Sequence, residues 1–472
     1  MSLNLIRAER DQLMLLPVDV REWLAEDDIV WTVLEVVAGL DLSGFYARYR
    51  VNGQGAAAFD PAMMVGLVVY AQAVGVRSSR SIERACTRDA GFKVITGQLV
   101  PDHSTITRFL QDHREALTGL FAQVLRLCHA AGMARVGVIA VDGTKIAANA
   151  SWAKSYTAQA LAHQIDEEQR AFAELAGSLL GEQVATDAAE DATYGPDRGD
   201  ELPKRLRARR DRLAALEAAK ADLVAREVAA REAMLAEQKN KQAAYEERKR
   251  SGKKVSGPRP AEEVKVVKAP SKSAAAPRAS VTDPASRRMK AKVGFVQGYN
   301  AQIAVTDTQI ILGALVTQVA TDHHLLPGVL EAVKAALTAA GITEGLDTVL
   351  ADAGYANEDT FTALENADLV LLAPVVSDQR RALGADPGGD CDLSKLPATA
   401  RAQERLRTPE GQAQYKLRGQ TAEPVFGQLK DRGGMRQFAR RGLANVTAEF
   451  LFACTVHNLR KLHCFTLAQA IA

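Results

Sequence analysis

The spacing of hydrophobic positions changes twice along the chain. From residue 1 to about 132 it is helical. "FDPAMMVGLVVYAQAVG" opens with Asp60 as an N-cap and Pro61 at the first helical position, and stops at Gly75. "SSRSIERACTRD" follows as a short helix. "PDHSTITRFLQDHREALTGLFAQVLRLCHAAG" predicts one helix, capped by Ser104 and running to Gly132. Three helices with tight connections fit a helix-turn-helix unit, with Thr105, Thr107 and Arg108 near the start of its last helix. They fit equally a bundle used for packing or dimerisation.

At about residue 135 the period shortens. "RVGVIAVDGTKIAANA" reads as two strands, or one long bent one, with Asp142 at the end of the apolar run. Residues 153–285 are different material. "LRARRDRLAALEAAKADLVAREVAAREAMLAEQ" is a long charged helix in which Leu216, Leu223 and Ala230 lie seven apart, while Lys220 and Glu227 interrupt the stripe of Leu213. It suits a helical hairpin arm, and "SGKKVSGPRPAEEVKVVKAPSKSAAAPRAS" a flexible segment. The stretch reads as an insertion into a domain that resumes near 286.

What resumes is a βα series. "GYNAQIAVTDT" and "QIILGALVTQ" form a hairpin turning at Asp307-Thr308. A helix ending at Gly341, the strand "LDTVLADAGY", a helix capped by Asn357 and the buried strand "LVLLAPV" come next. Residues 376–400, containing DPGGD, read as loop, and Pro409 onward as helix with a break at Gly433-Gly434.

With 472 residues, 47% hydrophobic and 25% charged, the chain predicts two or three globular domains. The proposed division is 1–132 helical, 133–152 with 286–472 as an α/β domain, and 153–285 inserted. Aromatic content of 5% gives no reason to expect a base-stacking platform, and a net charge of +2 decides nothing about nucleic acid. Cys86, Cys128, Cys391, Cys454 and Cys464 form no CxxC pair, which argues against zinc and for a reducing compartment. The first twenty residues mix acids and bases and are no signal peptide; no membrane span is expected. The expected location is the cytoplasm.

The carboxylates carry the chemistry. Asp142 and Asp352 each follow an apolar run and stand just before a glycine turn. If their strands are neighbours, two like charges meet, and a cation is needed between them. Hard oxygen donors without Cys or His suggest Mg²⁺ or Mn²⁺. Glu423 is the third acid, set in "YKLRGQTAEPVFGQLKDRGGMRQFARR", where Tyr415, Arg418, Lys430, Arg432, Arg436 and Arg440 concentrate positive charge. An acid within a basic, phosphate-binding segment fits a two-metal site.

The motifs "VDGTKIAANAS", "VTDPASRRMKAKVGFVQGYNAQ", "LADAGY" and "YKLRGQTAEPVFGQLKDRGGMRQFARRGL" together resemble a DDE transposase of a bacterial insertion sequence. "FDPAMMVGLVVYAQAVGVRSSRSIERAC" and "PDHSTITRF" resemble the helical domain that precedes its catalytic domain. The resemblance covers most of the chain except the charged insertion. It implies an α/β, RNase H-like mixed sheet flanked by helices, an all-α N-terminal domain, and Asp142, Asp352 and Glu423 as ligands and catalytic acids for two Mg²⁺ or Mn²⁺ ions. It implies cleavage at the element's terminal inverted repeats, strand transfer into target DNA, and at least a homodimer, located with the nucleoid. Tyr415, Arg418 and Lys430 match a Tyr–Arg–Glu–Lys signature whose basic members and tyrosine grip phosphate. Arg418 to Glu423 skips four residues where the commonest form skips three, a departure that bears more on Arg418 than on Glu423. Lys145, Arg108, Arg432 and Arg436 are further DNA-binding candidates. A metal-dependent nuclease of the same fold and a catalytically dead DNA-binding scaffold are the alternatives.

Blander readings stand beside these. An Asp before Gly is often only a turn residue. Glu404 and Glu410 precede the signature and are weak rivals to Glu423. His323 and His324, adjacent and therefore pointing apart, are structural, with Asp322 a helix cap. His457 and Asn458 are packing residues. Asn300 and Gln302 share a strand face, which is assigned to solvent in preference to DNA. Lys145 serves equally well as a surface lysine.

Overall fold

Asp60 and Pro61 begin a helix as the sequence requires: the Asp60 carboxylate accepts the Ala62 N–H at 3.1 Å, and the helix runs Pro61–Ala73. The structure is a computed structural model that describes residues 5–6, 20–50, 57–194, 204–251, 277–291, 294–375 and 397–471. Of the expected loop over 376–400, residues 376–396, with Cys391, lie outside the described residues, as does most of the expected flexible segment, 252–276; from Ala398 the chain is helical and not loop. The chain forms two compact units, Met1–Ala148 with Met289–Ala472, and Asn149–Arg288.

The first unit begins with helices α1 (Ile29–Gly39), α2 (Pro61–Ala73), α3 (Ser79–Arg88), α4 (Ala90–Thr96), α5 (His103–Asp112) and α6 (Arg114–Ala130). The single helix expected over 101–132 is in fact two, broken at His113. Its cap is Asp102, not Ser104: the Asp102 carboxylate accepts the N–H groups of Ser104 and Thr105 at 2.9 and 3.0 Å. The Thr105 and Thr107 hydroxyls are spent on their own turn, donating to Asp102 and to the His103 carbonyl.

The sheet follows. Strand β1 (Val138–Ala147) is one continuous strand, paired along Ala140–Ala147 with the antiparallel β2 (Phe295–Val305). β2 turns at Gln309 into the antiparallel β3 (Ile311–Thr317). Helix α7 (Leu326–Ala340) crosses to β4 (Thr348–Leu350), which lies parallel to β1 on its other side. α8 (Glu358–Glu365), capped by Asn357, leads to β5 (Val370–Leu372), parallel to β4. Strand order is thus β5-β4-β1-β2, with β3 and the short strand Arg287–Lys290 both pairing with β2. Helices α9 (Ala398–Arg407), α10 (Pro409–Asp431) and α11 (Leu443–Ile471) complete a mixed α/β unit.

Both faces of the sheet are covered, α7 and α11 packing on β3 and α10 on β1. The β2–β3 hairpin is tied down from α11. The Asn458 side chain, fully buried, accepts the Ile311 N–H at 2.9 Å and donates to the Ile311 carbonyl at 2.8 Å, acting as a one-residue strand partner. Its neighbour His457, pushed down to about 4 by burial, is neutral and bonds the Gln309 carbonyl at 2.9 Å. Asn458→Ala strands both Ile311 groups in the core and is expected to cost about 3 kcal/mol, at roughly 1–3 kcal/mol per unmet buried group. Urea unfolding measures it; an unchanged midpoint would mean that water replaces the carboxamide.

In the second unit, helices Ala158–Tyr194 and Lys204–Arg250 pack on each other as a hairpin. Their core is small: Leu161, Ile165, Leu216, Ala219, Leu223 and Ala279. The heptad seam covers Leu216 and Leu223 but not Ala230, which is exposed. Beside it Glu168, 6% exposed, is held by Arg209 at 3.0 Å and Arg212 at 3.3 Å. Among the described residues no helix is long and apolar enough to cross a membrane.

Candidate active site

β1 and β4 pair in register Val138↔Thr348, Ile139↔Val349, Ala140↔Leu350. The same offset sets Asp142 level with Asp352, each two residues beyond the last parallel pair. Asp142 does not end its strand, as the sequence suggested. β1 runs on to Ala147 because β2 continues to pair with it; what ends at Ala140 is the parallel ladder alone. Asp352 lies just past β4, where its carboxylate accepts the Gly354 N–H at 2.8 Å and caps a 3₁₀ turn, Ala353–Tyr355. Asp142 likewise accepts the Gly143 N–H at 2.9 Å. The turn-residue reading therefore holds for one oxygen of Asp352 and not for Asp142, which lies within a paired strand.

Their remaining charge converges on one cation. The Arg418 guanidinium, on α10, lies 3.4 Å from Asp142 Oδ1 and 3.9 Å from Asp352 Oδ2. Burial still pushes the Asp142 carboxyl above its ordinary range. The Gly143 N–H and Arg418 oppose that shift, and the charges of Asp352 and Glu423 add to it. Glu423 itself is exposed on α10. Among the described residues no three acids, histidines or cysteines are grouped closely enough to hold a metal ion. The structure thus joins Asp142 to Asp352, and leaves Glu423 within electrostatic reach only.

α10 owes its course to Pro424. Proline has no N–H, so the Gln420 carbonyl lacks its helical donor, and Gln309 Nε2 supplies one at 2.9 Å. Gln309, at the tip of the β2–β3 turn, also receives Gln428 Nε2 at 3.0 Å and Lys461 Nζ at 2.6 Å on its side-chain oxygen. The turn thus props the helix next to Glu423. Lys430, further along α10, donates to Thr144 Oγ1 at 2.5 Å. Tyr415 is half-buried beside Arg418, its hydroxyl pushed up chiefly by that burial.

The other face of β1 holds a network that the sequence reading missed. Asn300 and Gln302 face neither solvent nor DNA; both are fully buried. Asn300 Nδ2 and Gln302 Nε2 donate to Asp322 Oδ1 at 2.7 and 2.8 Å, and the Tyr355 hydroxyl donates to Gln302 Oε1. Asp322 is therefore no helix cap: α7 starts at Leu326, and the Asp322 carboxylate serves this network instead. Lys145, an odd number of residues from Asp142 and so on the opposite face, pairs with Asp322 at 3.7 Å. The signal was present in β2: two polar side chains on one face of an otherwise apolar strand need partners once buried.

The remaining candidates are scattered. Arg108 is exposed on α5, in a cleft with Arg48 and Tyr49. Arg432 shares a cleft with Arg460 and Lys461, and Arg436 pairs with Asp431. His323 and His324 do not point apart; their rings meet edge to face, centroids 4.4 Å apart, on the surface.

Carboxylates level on neighbouring strands of a mixed sheet, beside a helix bearing arginine and lysine, suit a divalent cation held next to a phosphate. Residues 392–463 match the model of a Transposase DDE domain, and residues 18–112 that of a Transposase domain (DUF772). No curated protein and no solved structure matches the chain significantly. Both matched segments are transposase domains, and the DDE domain implies an enzyme of the polynucleotidyl transferase type with an RNase H-like fold. Such enzymes act on DNA and use a divalent metal. The paired acids suit one chemically: two hard oxygen donors already share a cation.

Proposed function

We propose that this transposase cleaves DNA at the terminal inverted repeats of its element and joins the freed 3′-hydroxyl to target DNA by transesterification. Asp142, Asp352 and Glu423 are the catalytic acids and would hold two Mg²⁺ or Mn²⁺ ions, which when bound activate the attacking oxygen and offset charge on the leaving one. Tyr415, Arg418 and Lys430 grip phosphates next to the scissile bond, the contacts that fix register on DNA without reading sequence. Arg432, Arg436, Lys145 and Arg108 extend the phosphate track. The helical domain 1–132 binds element ends or pairs subunits, the domain of 133–152 and 286–472 does the chemistry, and the insertion 153–285 assists in either role. Holding two ends together takes at least a dimer, working at the nucleoid in the cytoplasm.

The observation that supports this most is the equal register of Asp142 and Asp352 on parallel neighbours, with their charge directed at one cation. The test is a strand-cleavage and strand-transfer assay on DNA carrying the element's ends, with Mg²⁺, for the wild type and Asp352→Asn. Cut and joined products from the wild type alone are expected. Cutting without joining would instead make the protein a nuclease, and binding without Mg²⁺-dependent products a DNA-binding scaffold.

A further inference from the structure

The buried stripe of α10 is Thr421, Ala422, Val425, Phe426 and Leu429. Arg418 stands three, four, seven, eight and eleven residues before these positions, so it continues the same stripe toward the helix N-terminus. Glu423 is five residues from Arg418, roughly 140° around the helix at about 100° per residue. The helix therefore turns its cation onto the sheet and leaves its acid exposed, within electrostatic reach of Asp142. The Arg418 side chain is only 15% exposed, and its Nε is buried without a hydrogen-bond partner. An orphaned guanidinium nitrogen is costly, and the two carboxylates, with the Tyr415 hydroxyl, are what offsets that cost.

We infer that Arg418 is a positioning residue, the built-in counter-ion of the acid pair. It holds Asp142 and Asp352 side by side and competes with divalent ions for their oxygens. This rests on the reading of Asp142 and Asp352 as metal ligands and goes beyond it. Without a cation, two carboxylates level on adjacent strands repel each other. Arg418 supplies that charge from within the chain. When an ion takes the carboxylates, the guanidinium is released to a phosphate, whose paired oxygens match its fork as well as a carboxylate does. Ion and DNA are thereby coupled: phosphate draws Arg418 away from the acids, and the acids freed in this way take up the ion.

The full-length protein is titrated with Mn²⁺, free ion being read by electron paramagnetic resonance, for the wild type, Arg418→Gln, Arg418→Lys and Asp142→Asn. Arg418→Gln is expected to bind Mn²⁺ about tenfold more tightly, because a competing charge is gone. Its melting temperature should fall below wild type in EDTA, where the acids repel, and recover with saturating Mn²⁺. Arg418→Lys, a cation without the fork, should lie between, and it carries the test if the glutamine variant does not fold. A duplex carrying an element end should tighten Mn²⁺ binding in the wild type and not in Arg418→Gln. If Asp142→Asn weakens Mn²⁺ binding while neither Arg418 variant strengthens it, the counter-ion role is refuted and the ligand assignment survives. If Asp142→Asn leaves Mn²⁺ binding unchanged, the ligand assignment fails and the counter-ion role fails with it.

Discussion

Asp142→Asn abolishes strand cleavage and leaves the metal-free protein at least as stable as the wild type: that is the expected result, and the two halves have one cause. Burial holds the Asp142 carboxyl above its ordinary range, so the folded state disfavours the charged form. The sign follows. Between the unfolded pKa, about 3.9, and the raised folded one, the native state binds more protons than the unfolded chain, so stability falls as pH rises through that window. Above the folded pKa the penalty is fully present. Asparagine keeps the shape and removes the charge, so the melting temperature in EDTA should equal or exceed wild type at pH 7, the difference shrinking as pH falls through that window and gone below about 3.9. Activity goes the other way. Outer-shell partners of metal ligands are already worth ~10–100-fold, and a ligand itself should cost on the order of 10³-fold or more. Added Mn²⁺ should raise the melting temperature of the wild type and not of the variant. Cleavage at more than a tenth of the wild-type rate would remove Asp142 from the chemistry.

The local rules of the sequence were enough wherever the deciding contact is close by. Asp60 and Pro61, Asn357, Gly341 and the Asp307-Thr308 turn all act through neighbours within four residues, and each element they bound is present. The helix over 101–132 failed for the same reason in reverse. Its apolar period continues unbroken past His113, while the break follows from packing, with His113 buried among Phe45, Tyr49 and Phe109. Asp102 and Ser104 are both competent caps, and only the geometry shows that the Ser104 hydroxyl is itself bonded to Asp102.

The candidate site divides the same way. The pairing of the Asp142 and Asp352 strands was legible, because the order of strands and helices permits few topologies. Asn300 and Gln302 were not, because their partners Asp322 and Tyr355 are 20 to 53 residues away. Arg418 was placed on DNA by its signature, but no spacing rule could reveal that the buried stripe of α10 includes it. Pro424 was a legible signal left unread: a proline inside a helix demands a replacement donor, here Gln309.

Gly143→Ala should be the most damaging small substitution near the site. The residue beside Asp142 must be glycine because Gln302, directly across in β2, lays its carboxamide over that position. A Cβ at Gly143 would overlap the carboxamide, 2.7 Å from its Cδ and 2.8 Å from its Oε1. A surface glutamine would swing aside. This one is held by Asn300, Asp322 and Tyr355 in a fully buried network, so moving it breaks three hydrogen bonds at once. Overpacking of this kind costs about 1–3 kcal/mol, and the unmet polar groups bring the expected loss to the top of that range, read as a drop in urea midpoint. The chemistry should suffer separately. Tyr355 closes the turn that begins at Asp352, so the network links the Asp352 turn to β2 and, through β2, to the Asp142 strand. A displacement of about 1 Å there is worth on the order of 10²-fold in rate. The second substitution that identifies the cause is Gln302→Ala. Alone it orphans Asp322 and Tyr355 and destabilises; in the Gly143→Ala background it also removes the clash, so the double variant should be more stable than the sum of the two predicts. Strict additivity would mean that the alanine methyl finds room without touching Gln302, and that the glycine is there for some other reason.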